Sequence, residues 1–410
     1  MNNSISSISL IILYLPMEWT NYHRRPLWLK IGEKSLPLII EPPACILAFP
    51  LHHDRLISLI KTRLHIRKGE RGMLFYRPIT LVTYGIGHRF SMLGKIDRFL
   101  LRVQVNHILK QIKIDPKRIV EFIVTVHQHF IAGLFRESVR CYEITDEYAV
   151  RPGEAQIDSN SGYAKRAIAG ERNLRDIADI VFTSSRPLYE RKSRIFRNVH
   201  YTPNSADVAH FNAAIYKDLK VPADLSSIPP PRIGFTGNLI ETVDFRLICD
   251  LALSRPNYSI VLLGNESAGE AFKNSAAYME AKSLPNVIFL GFREYDDLPA
   301  YLKGIDVCIL PHLLTEWMRN SFPNKMIQYL AAGRAVVATD FPSVQDFEEV
   351  ILIAHNRPEF IKLVDQAIAR NDDPGNIEKR LKVANRYSTE TRADQILKLL
   401  YSSVDKQLRK

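Results

Sequence analysis

The sequence predicts two doubly wound α/β domains facing a central cleft, and three observations carry that reading. Short apolar runs alternate with helical patterns along most of the chain, as in a parallel sheet covered on both faces. The alternation breaks once, at Lys217–Arg232 (KDLKVPADLSSIPPPR), and then restarts. The 410 residues are too many for one small core and fit two or three domains.

Taken in order, Ser9–Pro16 (SLIILYLP) is a short apolar run closed by Pro and reads as a buried strand. Leu36–Ile40 is similar and ends on Glu41-Pro42-Pro43. Further strands are expected at Ile79–Tyr84, Ile119–Val126, Val139–Thr145, Ile180–Ser184 and Val199–Thr202, with helices at Lys95–Lys113 and Tyr163–Ile177. Pro222, Pro229, Pro230 and Pro231 fit neither a helix interior nor a central strand, so Lys217–Arg232 reads as a linker. Beyond it, strands are expected at Ile233–Thr236, Ser259–Leu263, Val287–Leu290, Val307–Leu310 and Ala335–Thr339, and a last amphipathic helix at Thr389–Leu399. Twin domains of this kind bind in the cleft beyond the carboxyl ends of their strands, so the loops after strands are where chemistry is sought.

Composition excludes several classes. Hydrophobic residues at 46% and charged residues at 24% exclude general disorder. Cys45, Cys141, Cys249 and Cys308 form no C-x-x-C pair, which argues against a zinc ribbon or disulfide framework and for a reducing compartment. The apolar run Leu10–Leu15 falls far short of the ~20 residues of a spanning helix and lacks the marks of a signal peptide, so a cytoplasmic location is expected. Charge is uneven: residues 1–140 hold 21 Lys and Arg against 9 Asp and Glu, a net +12, and the other 270 residues are near neutral. That asymmetry points to a polyanionic partner for the first third: a nucleic acid, an anionic membrane or a phosphate-bearing substrate.

The most informative stretch is Asn320–Thr339, NSFPNKMIQYLAAGRAVVAT. Pro323 suits the first turn of a helix, Gly333 its end, and Ala335–Thr339 the next strand. Lys325 falls in the first turn, where the helix dipole disfavours a cation unless an anion sits nearby. The stretch reads either as a diphosphate cradle or as an ordinary helix with a solvated Lys.

The run Gly291–Asp340, with its D-V-x-x-L-P strand (Asp306–Pro311) and A-A-G helix end (Ala331–Gly333), closely resembles the carboxyl-terminal domain of GT-B nucleotide-sugar glycosyltransferases. Gly234–Asn238, Ile260–Gly264, Cys141–Gly153, Ala178–Ser185 and Pro203–Phe211 extend the likeness to bacterial polysaccharide-assembly members; Tyr14–Leu29 is a fainter match. The resemblance implies domains at 1–222 and 232–387, a linker at 223–231, and a final helix (about 388–410) packing back on the first domain. It implies a donor site of Gly237, Asn238, Phe292, Arg293, Asn320, Ser321, Asn324, Lys325 and Gln328, with Phe292 and Arg293 where relatives hold the base. Many retaining members carry Glu-x7-Glu where this chain has Asn320 and Gln328. The Lys325-x-x-Gln328 pair is instead similar to xanthan-type glucuronosyltransferases. The Arg and Lys that many relatives place after the linker strand are missing from GNLIETVD, Gly237–Asp244. No D-x-D occurs, so no metal and no cofactor is expected beyond the donor itself, with a UDP-sugar favoured.

In the first domain, Tyr142–Tyr148 (YEITDEY) follows a strand. Inverting transfer needs one carboxylate to deprotonate the acceptor hydroxyl, and Asp146 matches the base position of similar inverting enzymes; a capping Asp at a turn is the other reading. Glu147 is the substitute base. His127 follows another strand and reads either as a sugar contact or as a structural His. Trp19, His23, Arg24 and Arg25 combine stacking and phosphate-pairing groups for an acceptor, or begin a plain amphipathic helix. Lys95–Lys113 is basic and apolar enough to lie on anionic lipid, or to be buried. The neighbouring Lys61–Arg77 cluster adds to the membrane reading. The expected partners are a nucleotide sugar, a lipid-linked or oligosaccharide acceptor and the inner face of the plasma membrane. A catalytically inactive scaffold would account for Asn320 and Gln328. A nucleic-acid binder would account only for the basic third, and no RRM, KH or helix-turn-helix signature accompanies it.

Overall fold

The computed structural model describes residues 8–46, 66–83, 86, 89–135, 139–370 and 373–409. The first sheet is built from β1 (Leu10–Tyr14), β2 (Pro37–Ile40), β3 (Arg67–Lys68), β4 (Leu74–Tyr76), β5 (Ile119–Ile123), β6 (Val139–Ile144), β7 (Ile180–Thr183) and β8 (Val199–Tyr201). Their spatial order is β8-β7-β6-β5-β1-β2-β4-β3, and only the β3–β4 pair is antiparallel. The second sheet holds β9 (Arg232–Thr236), β10 (Ser259–Leu263), β11 (Val287–Gly291), β12 (Val307–Leu310), β13 (Ala335–Thr339) and β14 (Leu352–Ala354), in the order β11-β10-β9-β12-β13-β14, all parallel. β1, β2, β5, β6, β9, β10 and β12 are buried at every position or nearly so, as strands covered on both faces must be. The strand order reverses between β1 and β5 and between β9 and β12, and these two reversals fix where each domain can hold a ligand.

The helices that matter for the site are α1 (Arg25–Gly32), α2 (Ser91–Gln111), α3 (Gly162–Arg175), α4 (Arg186–Lys192), α5 (Glu316–Asn320), α6 (Asn324–Ala331) and α7 (Thr389–Leu408). α6 buries Met326, Ile327, Tyr329, Leu330 and Ala331 while Asn324, Lys325 and Gln328 stay on its outer side. Ser388 caps α7, which lays Ala393, Ile396, Leu397, Leu400 and Val404 against Trp28, Phe122 and the rest of one face of the first sheet. The start of α7 is joined to the segment after β8: Ala206 pairs with Ser388, and the Thr389 amide donates to the Ala206 carbonyl at 3.0 Å.

Several elements depart from the sequence reading. Of the run expected as a strand at Ile79–Tyr84, whose Tyr84 lies outside the described residues, Ile79–Thr80 is a strand, in a separate two-stranded ribbon with Ala44–Cys45; the sheet strand is Leu74–Tyr76. Side chains of α2 explain this. Asp97 accepts from the Leu81 and Val82 amides, and Gln104 bonds both backbone groups of Ile79, so these amides are satisfied without a sheet neighbour. β3, β4 and β14, at two or three residues too short for a periodic signal, are absent from the sequence reading. The linker is also more ordered than its prolines imply. It contains the helical turn Ala223–Ser226, and Arg232 ties it down through the Ser226, Ile228 and Gly304 carbonyls. Of the Lys61–Arg77 cluster, residues 61–65 lie outside the described residues.

Candidate functional site

The second-domain wall forms at the reversal between β9 and β12. Gly237 follows β9 with φ +125°, and a Cβ there would lie 2.7 Å from Lys325 Nζ. Gly264 follows β10 with φ +151°, and its Cβ would lie 2.0 Å from the Gly237 carbonyl oxygen. Only glycine allows both the backbone angles and this close approach, so the loop lies directly against the ammonium. Lys325 stacks over the Phe235 ring with Nζ 4.0 Å from its centroid. Among the described residues no carboxylate pairs with it, and enclosure by the protein lowers its pKa to about 7. His312, just after β12, is fully buried near it; burial and then the Lys325 charge push its pKa down to about 3, so the ring is neutral. Its Nε2 has no hydrogen-bond partner.

The first-domain wall forms beyond β5 and β6. Asp146 accepts a hydrogen bond from Ser321 Oγ at 3.2 Å, across the cleft. Burial raises its pKa, and bonds from Thr145 and Ser321 with the charge of Arg24 act against that rise. Nearby, Ser185 Oγ donates to the Asn320 carbonyl at 2.6 Å, and Asn204 donates to the Phe322 carbonyl at 2.9 Å. Asp146 therefore stands against the segment that leads into α6. A small interdomain cavity is lined by His23 and Arg24 on one side and Asn324 and Gln328 on the other, with Asp207 and Tyr295 also in its wall. Asn324 Oδ1 is buried there without a partner. His23 opens on the cleft, yet the enclosing walls and then Arg24 lower its pKa to about 4.

Other expected site residues are engaged elsewhere. Glu147 is buried and paired with Lys192 (3.1 Å) and Arg191 (3.0 Å); Lys192 also binds Glu171. A carboxylate neutralised twice is poorly suited to act as base, so its place is structural. Trp19 packs edge-on against Phe75 in the core beside β1. Arg24 is buried in an ion pair with Glu143 at 2.5 Å, and Arg25 turns to Glu70 at 2.7 Å. Arg293 is held by Asp224 of the linker and the Tyr301 hydroxyl, whereas Phe292 and Asn238 are exposed. Asn320 folds back on its own helix, its amide donating to the Glu316 carbonyl at 2.7 Å, which leaves Oδ1 buried and unbonded. His127 is half-buried in the single turn Val126–Gln128, with its pKa lowered by burial and by Arg166.

Sequence reasoning missed His312 and the Arg191–Glu316 bridge (2.7 Å) that spans the two domains. His312 stands directly after a strand, the same rule that singled out Asp146, and that rule applied to β12 finds it. The bridge has no local signal, because its partners are 125 residues apart. Among the described residues no cluster of three or more His, Cys, Asp or Glu offers a metal site.

Two doubly wound domains whose reversal points face each other across a cleft define a GT-B fold. Residues 230–370, which take in most of the second domain, match the family model of glycosyl transferases group 1. The chain is 28% identical over 178 residues to TuaH of Bacillus subtilis (strain 168), provisionally named a teichuronic acid biosynthesis glycosyltransferase. That match spans 42% of this chain and 43% of TuaH, less than half the length of either. Among solved structures, sucrose-phosphate synthase from Thermosynechococcus elongatus superposes with TM-score 0.67 at 13% identity, over 95% of this chain and 98% of that one. Anabaena HepE, solved with UDP and glucose, gives TM-score 0.62 at 13% identity, over 96% and 99%.

Proposed function

We propose that this chain transfers a sugar from a nucleotide sugar, with UDP as the favoured nucleotide, to a saccharide acceptor in cell-surface polysaccharide synthesis. The observation that carries the reading is Lys325, a cation held against the Gly237 backbone at the β9/β12 reversal with no carboxylate among the described residues to neutralise it. An unneutralised enclosed cation is costly unless an anion completes it. A diphosphate fits both the ammonium and the free N–H groups of the first turn of α6. The UDP complex of HepE and the teichuronic acid assignment of TuaH support the donor and the pathway class.

The chemistry proposed is a single inverting displacement. Asp146 takes the proton of the acceptor hydroxyl as its oxygen bonds to the anomeric carbon. The bond from that carbon to the phosphate oxygen breaks, and its electron pair leaves on the nucleoside diphosphate. Lys325 and the α6 amides stabilise the charge that develops there. A fixed cation in this place lets the reaction run without a metal. Gln328 and Asn324 are proposed to bond donor hydroxyls. The acceptor is proposed to be lipid-linked and presented at the inner face of the plasma membrane. No helix among the described residues is long and apolar enough to cross a membrane, so the chain would work there peripherally.

The test is transfer from UDP-sugars to a polysaccharide-precursor acceptor, with the configuration of the new bond read by NMR. An inverted linkage supports the account. A retained one removes Asp146 as base, and tight UDP-sugar binding with neither transfer nor hydrolysis marks an inactive scaffold.

A further inference from the structure

We propose that the outer face of α2 docks on an anionic lipid bilayer; this rests on the membrane part of the function proposed above and names the surface responsible. α2 is apolar on two opposite sides. Its inner side sends Leu101, Val105, Ile108 and Leu109 into the first-domain core. Its outer side exposes Met92 (75%), Ile96 (38%), Phe99 (65%) and Val103 (52%). These positions follow the i, i+4, i+7, i+11 spacing and form one continuous line about 16 Å long. Exposed apolar residues are ordinarily scattered singly; four in line on one helix are not.

Charge identifies the occupant. Lys95 and Arg102 are exposed along one flank of the line, and Lys110 continues it at the carboxyl end. Just before the helix, Arg89 stacks over the exposed Phe90 at 5.5 Å. The single acid of α2, Asp97, is 1% exposed and turned inward onto the Leu81 and Val82 amides. The outer face is thus apolar and cationic with no acid of its own. A second copy would set these cations against one another, and a hydrated polyanion would leave the apolar line in water. An anionic bilayer supplies phosphates for the cations and an apolar boundary for Met92, Ile96, Phe99 and Val103.

The same helix is tied to the site. Arg98 donates to the Phe130, Ala132 and Gly133 carbonyls at 2.6–2.8 Å, and Glu121 of β5 accepts from the Gly133 and Phe135 amides at 2.7 Å. The loop after β5, which carries His127, is therefore clamped to α2. A bilayer seated on the outer face of α2 would set the height of that loop relative to a lipid-linked acceptor.

The test is flotation of the full chain with vesicles of phosphatidylcholine alone or mixed with phosphatidylglycerol, at low and high salt. Binding is expected only with phosphatidylglycerol, and weaker in high salt. Met92→Asp with Phe99→Asp should lower partitioning by tenfold or more. Lys95→Ala, Arg102→Ala and Lys110→Ala together should lower it by roughly 100-fold, at about fivefold per charge. Unchanged melting temperature and UDP affinity in these variants show that fold and donor site are intact. Equal binding to neutral vesicles, or wild-type flotation of either folded variant, overturns the docking face. So does a dimer that Phe99→Asp dissociates. Absence of UDP binding by the wild type would instead count against the proposed function and leave the flotation result to stand on its own.

Discussion

On the first-domain wall of the cleft, cations come with carboxylates: Arg24 with Glu143, Arg25 with Glu70, Arg191 with Glu147 and Glu316, and Lys192 with Glu147 and Glu171. On the second-domain wall, Lys325 has an aromatic face and a glycine backbone beside it, and no acid paired with it among the described residues. The carboxylates follow the reverse pattern. Asp146 is bonded by neutral hydroxyls, while its neighbour Glu147 is neutralised by two cations. Paired charges build the frame, whereas Asp146 and Lys325, which have no charged partner in contact among the described residues, are groups that the proposed displacement needs. Four variants can break or sharpen this contrast.

The largest effect is expected at Asp146. General-base catalysis contributes typically 10²–10⁴-fold, so Asp146→Asn should lower kcat by about that factor and keep UDP affinity, measured by steady-state kinetics beside calorimetry. An unchanged kcat would move the base to another residue. Next comes the frame. Lys192→Ala leaves Glu147 and Glu171 buried without their shared cation and should cost about 3–5 kcal/mol of unfolding free energy, read by denaturant titration. If stability holds, the paired network is not the frame we describe. Lys325→Ala should follow, weakening UDP binding by about 1.5–3 kcal/mol, as expected for a charge-assisted bond, with unfolding free energy kept or raised. Arg25→Ala closes the series. Its exposed pair with Glu70 is worth about 1 kcal/mol at most, and neither UDP affinity nor acceptor KM should change.

What was legible in the sequence follows the same division. The α6 region could be read because its signals are local: Pro323 before the helix, Gly333 after it, an apolar strand beyond. A helix start is set by a few adjacent residues, and a Lys in its first turn is visible as an anomaly. The acceptor wall was read less well because the groups that decide each role are distant in sequence. Nothing near Glu147 announces Lys192, and nothing near Arg24 announces Glu143. The strand placed at Ile79–Tyr84 was read too long and in the wrong sheet likewise, since the acceptors for the Ile79, Leu81 and Val82 amides come from Asp97 and Gln104 of a later helix. Apolar periodicity reports burial of a face and says nothing of which side chain satisfies a backbone group. The outer line of α2 shows the same limit: its sequence is compatible with full burial, and only the packed fold shows which apolar residues stay outside.

The central claim is that Lys325 is held for an anion, and its titration tests that most directly. Its pKa in the folded chain is lowered to about 7 from the ordinary 10.5. Between those values the unfolded chain binds more protons than the folded one, so this group makes stability rise with pH across that window and takes it back as pH falls towards 7. A diphosphate favours the ammonium, so binding UDP at pH 8 should draw about one proton onto Lys325. Titration calorimetry of UDP binding in buffers of differing ionisation enthalpy measures that proton. The account predicts uptake that grows above pH 7 in the wild type and is lost in Lys325→Met. Equal proton uptake by both proteins, or UDP affinity unaffected by the substitution, would contradict it.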